Sequence, residues 1–205
     1  MDRRILIVSE GKHELATDPS ESSLAEFVRR LVPDSVTVRA ECRDIRQFTR
    51  RIHGRGDRYA RKFIAILDEA QKLGFNAAVI VVDCDRDRTR IGSATTAQQS
   101  DHVGLPRAVA VAIETYDAWF LGDHVALSDV LNATIDMQPL PENLTDPKSQ
   151  IQKLRNEHVF DGSLSRLYFL LAGCCRIEHV VERCPGGFAV FVQRVREMGQ
   201  SLAGG

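Results

Sequence analysis

Acidic residues follow three of the most apolar runs of the chain, and their spacing is what could carry chemistry. Glu10-Gly11-Lys12-His13-Glu14 comes directly after RILIVS, Asp83-Cys84-Asp85-Arg86-Asp87 after AAVIVV, and Glu114 after RAVAVAI, with Asp117 and Asp123 shortly behind it. Each run reads as a strand, and in an open parallel sheet ligands bind beyond the carboxyl ends of the strands. Three separate segments therefore deliver carboxylates to one rim. Two carboxylates about 5 Å apart repel by roughly 3 kcal/mol at an effective dielectric near 20. Three or four must share protons or bind a cation, and an all-oxygen set suits Mg2+ or Mn2+ rather than zinc. The alternation Asp83-x-Asp85 lets two side chains leave a strand end toward one ion, with Glu114 and Asp117 as further ligands. Gly11 lets the backbone after Glu10 come close to an anion. Acids after strands also serve as helix caps and turn residues. Asp87 reads as a loop acid balanced by Arg86, Arg88 and Arg90, and Asp123 as a cap or an ion-pair partner.

The elements that must position these acids are written in the hydrophobic pattern. Branched apolar runs at 4–9, 77–82 and 107–113 predict buried parallel strands, and the alternation over 35–40 predicts another. Leu24, Phe27, Val28 and Leu31 recur at helical spacing behind a Ser23–Glu26 capping box, and Pro33 ends that helix. Ala60, Phe63, Ile64, Leu67, Ala70 and Leu73 form one stripe over 57–73, closed by Gly74. Strands alternating with helices predict an α/β fold, a three-layer Rossmann-like arrangement around a mainly parallel sheet. From about Asp123 the strand signal stops. Pro139, Pro141 and Pro147 interrupt a connector, and helices are predicted at 148–157, 164–171, 177–183 and 188–198. The expected organisation is an α/β domain over 1–123 with a helical extension over 124–205 packed on it.

Composition narrows the class. With 205 residues, 43% of them hydrophobic, the chain can bury a core, which excludes a disordered segment. Lys+Arg 27 against Asp+Glu 28 leaves a net charge of −1, so any attraction to nucleic acid must be local. No apolar run is long enough to span a bilayer, and none of secretory length follows Arg3-Arg4, so a soluble, cytoplasmic protein with no membrane partner is expected. Five cysteines without paired C-x-x-C spacing read as reduced core thiols. Cys174, Cys175, His179 and Cys184 lack the knuckle spacing of a structural zinc site.

Glu10-Gly11-x-x-Glu14 after a first strand, with Asp83-x-Asp85 after a later one, resembles the Toprim domain of topoisomerases, primases and OLD-type nucleases. The nearer resemblance is to a family of small stand-alone Toprim-like proteins of unknown function. Its members add an acidic-Ala-Trp-hydrophobic segment, here Ile113 to Asp123 around Asp117-Ala118-Trp119-Phe120. They also carry an Asp-Pro-Lys helix start, here Asp146-Pro147-Lys148, and a Cys-Pro-x-x-Phe element, here Cys184 to Phe188. The likeness runs over nearly the whole chain. Two positions depart from it, since Asp117 stands where Glu is usual and Ser9 where an apolar residue is usual. The resemblance implies a Toprim fold and a Mg2+- or Mn2+-dependent nuclease that hydrolyses phosphodiesters of DNA or RNA. Asp83 and Asp85 would hold the ion with Glu114 and Asp117, Glu10 would act as general acid or base, and Glu14 would orient the ligands. It also implies a setting in prokaryotic genome defence beside an AAA- or ABC-type ATPase partner.

Basic residues supply an approach for phosphates. The stretch 50–62 holds Arg50, Arg51, Arg55, Arg58, Arg61 and Lys62 against Asp57, and Arg86, Arg88 and Arg90 lie beside the acids. Arg55, Arg58, Arg86 and Arg88 are the candidate phosphate contacts, because guanidinium matches phosphate oxygens; the same residues also read as a solvated surface. His13 reads as a proton shuttle or a surface histidine. No G-x-x-x-x-G-K-[ST] is present, so the chain is not itself an ATPase. A non-catalytic regulatory or sensor subunit that docks on an ATPase or on nucleic acid is the competing reading. A haloacid-dehalogenase-type phosphatase fits poorly, because Asp87 replaces the Thr or Val that its motif needs. Self-association into a homo-oligomer stays open.

Overall fold

The computed structural model describes residues 2–16, 18–48 and 57–204. Among them the order is β1 (Asp2–Ser9), α1 (Lys12–Leu15), α2 (Ser23–Leu31), β2 (Thr37–Asp44), α3 (Arg58–Lys72), β3 (Ala77–Asp83), α4 (Thr89–Gln98) and β4 (Arg107–Ala112). Then follow α5 (Asp117–Phe120), α6 (His124–Leu131), α7 (Pro147–Glu157), α8 (Leu164–Cys174), α9 (Ile177–Arg183) and α10 (Phe188–Gly204). The four strands form one parallel sheet in the order β2-β1-β3-β4.

Alternation along β1, β3 and β4 splits their side chains between two cores, and both faces are covered, which is why these strands read as apolar runs. Leu6, Val8, Ile80, Val82 and Val109 pack with Phe63, Leu67, Ala70 and Ala97 of α3 and α4. On the opposite face, Ile5, Ile7, Val79, Val81 and Ala110 meet Phe27 and Val28 of α2, Trp119 of α5 and Phe188, Phe191 and Val192 of α10. The result is a three-layer, Rossmann-like α/β arrangement. The helices after Asp123 share that second core with the sheet, through Leu167, Tyr168, Leu171, Phe188 and Val195. An aromatic group, Phe27, Trp119, Phe188 and Phe191, fills its centre with ring centroids 5.1–6.4 Å apart.

Several boundaries differ from the hydrophobic pattern for identifiable reasons. β2 continues to Asp44, in register with Ser9 of β1. Its second half is charged and Glu41 bonds Arg4 and Arg43, so the apolar alternation ends while the backbone ladder runs on. The cap of α2 is Ser22, which accepts from the Ala25 amide, rather than Ser23. Ser23 instead turns its hydroxyl to the Glu14 carbonyl and the Tyr116 hydroxyl. α4 and α6 are absent from the sequence reading, and α10 extends beyond the predicted 198. Asp57 caps α3 and Gly74, at φ 73°, closes it.

The β4 edge is sealed by side chains. The Gln98 amide donates to the Arg107 carbonyl (3.1 Å) and accepts from the Val109 N–H (2.9 Å), and Arg194 of α10 donates to the Val109 carbonyl. The thiols of Cys84, Cys175 and Cys184 are buried and that of Cys174 is exposed. Among the described residues no helix is long and apolar enough to cross a membrane.

Candidate functional site

The carboxyl ends of the two inner strands carry the site. β1 ends at Ser9, and Glu10 and Gly11 lead into the short α1, whose Glu14 is buried. β3 ends at Asp83, half-buried. Past β4, a left-handed Glu114 turns the chain into α5, which opens with the buried Asp117. Sequence positions 10, 14, 83 and 117 are thus brought to one rim by three strand ends.

Their electrostatics show how closely they gather. Burial pushes the Asp83 carboxyl up to about 8; Glu14, Asp117 and Glu10 push in the same direction, against a 2.7 Å hydrogen bond from the Tyr116 N–H. Burial likewise pushes Glu14 up to about 7, helped by Asp117 and opposed by the Ser9 hydroxyl, which donates to its Oε2 at 2.8 Å. Asp117 accepts from the Tyr168 hydroxyl, a buried phenol whose own proton is held more tightly by burial and by that carboxylate. Asp83 accepts from the Tyr116 N–H and Glu14 from the Ser9 hydroxyl and the Gly11 backbone, and in both burial outweighs what these neutral donors return. Burial thus favours the neutral forms of Glu14 and Asp83.

Cations stand around the acids rather than among them. Arg90 of α4, with its side chain 11% exposed, donates from Nη1 to Glu10 Oε2 (2.8 Å) and to the Asp83 carbonyl (2.7 Å), and from Nη2 to the Tyr59 hydroxyl (2.9 Å). Its guanidinium also lies 4.6 Å from the Tyr59 ring centre. Lys148, just inside the α7 start set by Asp146 and Pro147, lowers the Glu14 carboxyl electrostatically, and Arg46 feels Glu10. The sequence reading counted Arg90 in a basic segment without giving it this role. The available signal was its position one turn beyond the acid-rich loop, on the helix that leaves it.

No protein-family model, curated protein or solved structure matches this chain. Asp85 and Arg86 adopt left-handed backbone (φ 52° and 63°), as does Glu114 (φ 57°), each costing about 1 kcal/mol for a residue with a β-carbon. The ladder goes on past the sheet through Cys84 N–H to the Ala112 carbonyl and Asp85 N–H to the Glu114 carbonyl. The turn ends the strand alternation at Asp83, and Asp85 is left exposed. Glu114 pairs with Arg88 at 3.2 Å and, with exposed Arg86, lines a separate cleft. The four acids that interact are accordingly Glu10, Glu14, Asp83 and Asp117, with Asp85 and Glu114 beside them.

Asp87 caps the start of α4 through the Thr89 N–H and hydroxyl. Asp123 both caps α6 and takes three hydrogen bonds from Arg176. His13 Nδ1 lies 3.3 Å from the Ser165 hydroxyl. Arg58 is exposed at the start of α3, while Arg50, Arg51 and Arg55 lie outside the described residues. As the side chains lie, no three His, Cys, Asp or Glu among the described residues form a group that encloses a metal ion. Glu14 is bonded back to Ser9 and Glu10 is engaged by Arg90.

Proposed function

We propose that this chain is a Mg2+- or Mn2+-dependent phosphodiester hydrolase of the Toprim type that acts on nucleic acid. One observation carries the reading: four carboxylates from three chain segments are drawn to one rim, and two of them, Glu14 and Asp83, are forced toward their neutral forms by burial and by neighbouring acids. Oxygen-only donors in that condition fit a small hard dication, which would take the place of the protons. Asp83, Glu14 and Asp117 would hold it, with Asp85 and Glu114 as the nearest additional acids. When bound, such an ion supplies Lewis-acid polarisation of a phosphoryl oxygen. Glu10, with its side chain 31% exposed, takes a proton from the attacking water, and Arg90 fixes the position of its carboxylate. Arg86 and Arg88 bind flanking phosphate oxygens. An AAA- or ABC-type ATPase partner and a cytoplasmic, genome-defence role belong to the same proposal.

Titration with Mn2+ followed by electron paramagnetic resonance, beside hydrolysis of bis(4-nitrophenyl) phosphate, tests the reading. Saturable binding at micromolar to millimolar Mn2+, metal-dependent hydrolysis, and loss of both in Asp83→Asn are expected. A folded Asp83→Asn variant with wild-type activity overturns it. The engagement of Glu10 by Arg90 favours a second reading, a regulatory subunit whose acids only share protons. Absence of both Mn2+ binding and any metal-induced rise in thermal stability selects that one.

A further inference from the structure

We propose that the substrate is a single polynucleotide strand that crosses the carboxyl edge of the sheet and passes the acids on both sides, so that cleavage needs no free end. This rests on the hydrolase reading above and adds its substrate geometry. Two open clefts carry it. One, of about 380 Å3, is lined by His13, Cys42, Asp44, Gln47 and Ser165. The other, of about 370 Å3, is lined by Arg86, Arg88, Glu114, Glu142, Asn143 and Thr145. Cys42 and Asp44 end β2 and Glu114 follows β4, the two outer strands, whereas Glu10 and Asp83 follow and end the inner strands β1 and β3. At about 4.8 Å between neighbours, β2 and β4 lie about 14 Å apart, with the acids between them. A mononucleotide or a strand terminus would use the acids and one cleft and leave the other without a ligand.

The two clefts offer different chemistry, as the two flanks of a polymer repeat require. Toward β4, exposed Arg86 is the cation without a carboxylate partner among the cleft's own residues, beside the donors Asn143 and Thr145, while Arg88 is paired with Glu114 and the Glu142 carboxylate is taken up by the Gly186 and Gly187 amides. Toward β2, His13, Gln47 and Ser165 are hydrogen-bonding groups suited to sugar hydroxyls and base edges, and the charge of Asp44 is taken up by Arg46 at 2.8–2.9 Å. Arg46 and Arg90 near Glu10, and Lys148 near Glu14, offset the repulsion that a phosphate chain meets as it approaches the acids. Each cleft has the volume of a small-ligand site, the scale of one nucleotide unit of a strand on either side of the acids.

The test uses covalently closed single-stranded circles, one of DNA and one of RNA, incubated with the full chain and Mn2+. Linear strands of the same sequence and bis(4-nitrophenyl) phosphate run alongside. At least one circle is expected to open to its full-length linear form, and the identity of that circle assigns the polymer. Gln47→Glu and Thr145→Glu, exposed positions in opposite clefts, should each raise KM for that circle about tenfold by setting a carboxylate beside the strand. Hydrolysis of the small diester or the linear strands with both circles intact overturns the through-running mode and leaves the hydrolase reading in place. Wild-type KM in either charge variant also overturns it. Hydrolysis of no substrate removes the hydrolase reading, and this inference with it.

Discussion

The carboxylate of Glu14 occupies the space that a β-carbon on Gly11 would fill. Glycine is required there for room, because the short α1 folds its own acid back over the strand end, where Ser9 holds it. In Gly11→Ala the flexible end of Glu14 must leave Ser9. The lost hydrogen bond should cost about 1 kcal/mol, a fall of about 2–4 °C in Tm for a chain of this size. Mn2+ affinity should fall about tenfold in Gly11→Ala and in Glu14→Ala, and no further in the double variant, since both changes remove one group. Additive losses in the Mn2+ titrations would refute the coupling.

Stability should fall as pH rises. Burial and mutual repulsion raise the Glu14 and Asp83 carboxyls in the folded chain from 4.5 and 3.8 to about 7 and about 8. Between those limits the folded chain keeps protons that the unfolded chain has released. The stabilising contribution is complete below about pH 4 and is lost as pH passes 7 to 8. Urea denaturation midpoints should therefore decline toward alkaline pH, with a shallower slope in Asp83→Asn. Millimolar Mg2+ should restore more stability at alkaline pH than at pH 5, where it competes with protons. A slope unaffected by Asp83→Asn would place the titration elsewhere.

Arg90 joins Glu10, the Asp83 backbone and Tyr59, groups from three elements, through one planar fork. A lysine ammonium cannot span that set, so Arg90→Lys should behave nearly like Arg90→Met. Each should lose roughly 2 kcal/mol, discounted from the cost of breaking a buried pair because Glu10 reaches solvent. Urea unfolding would measure this, and full stability in the lysine variant would show that charge alone is what matters.

Glu142, buried in the connector, accepts from the Gly186 and Gly187 amides at 2.8 and 2.7 Å and so caps α10 from outside the helix. A β-carbon at Gly187 would meet that carboxylate and the β4 backbone. Glu142→Ala should cost about 2 kcal/mol, within the range for helix caps and buried acceptors. Hydrogen exchange should speed up in the first turn of α10 before it does in β4. Uniform exchange across both would contradict the capping role.

How much of this was legible in the sequence depends on which interaction decides each element. The run at 77–82 and the stripe from Ala60 to Ala70 report burial directly, so β3 and α3 lie within a residue or two of their predicted bounds. α4 is mostly Thr, Gly, Ser and Ala with Ile91 as its one large apolar residue, and Asp87, which holds its first turn, lies among the loop acids, so neither periodicity nor termini announce it. The gathering of acids at strand ends was visible because topology follows from strand and helix order. Which acids meet was not, because the left-handed turn at Asp85 and Arg86 carries no glycine and is set by the Asp85–Glu114 backbone contact across the sheet. The capping carboxylate of Glu142 was equally hidden, 44 positions from the glycines it holds.

Gln98 and Arg194 have a consequence at the scale of assemblies. By occupying the outward amide and carbonyl of Val109, they deny an incoming strand its first hydrogen bonds on that side. A fibre grows by strand addition only if every copy offers two docking borders, and this fold has closed one of them. Pairing of copies through their sheets is therefore expected at the β2 border, and the occupied Val109 amide and carbonyl disfavour continuation of such pairing at β4.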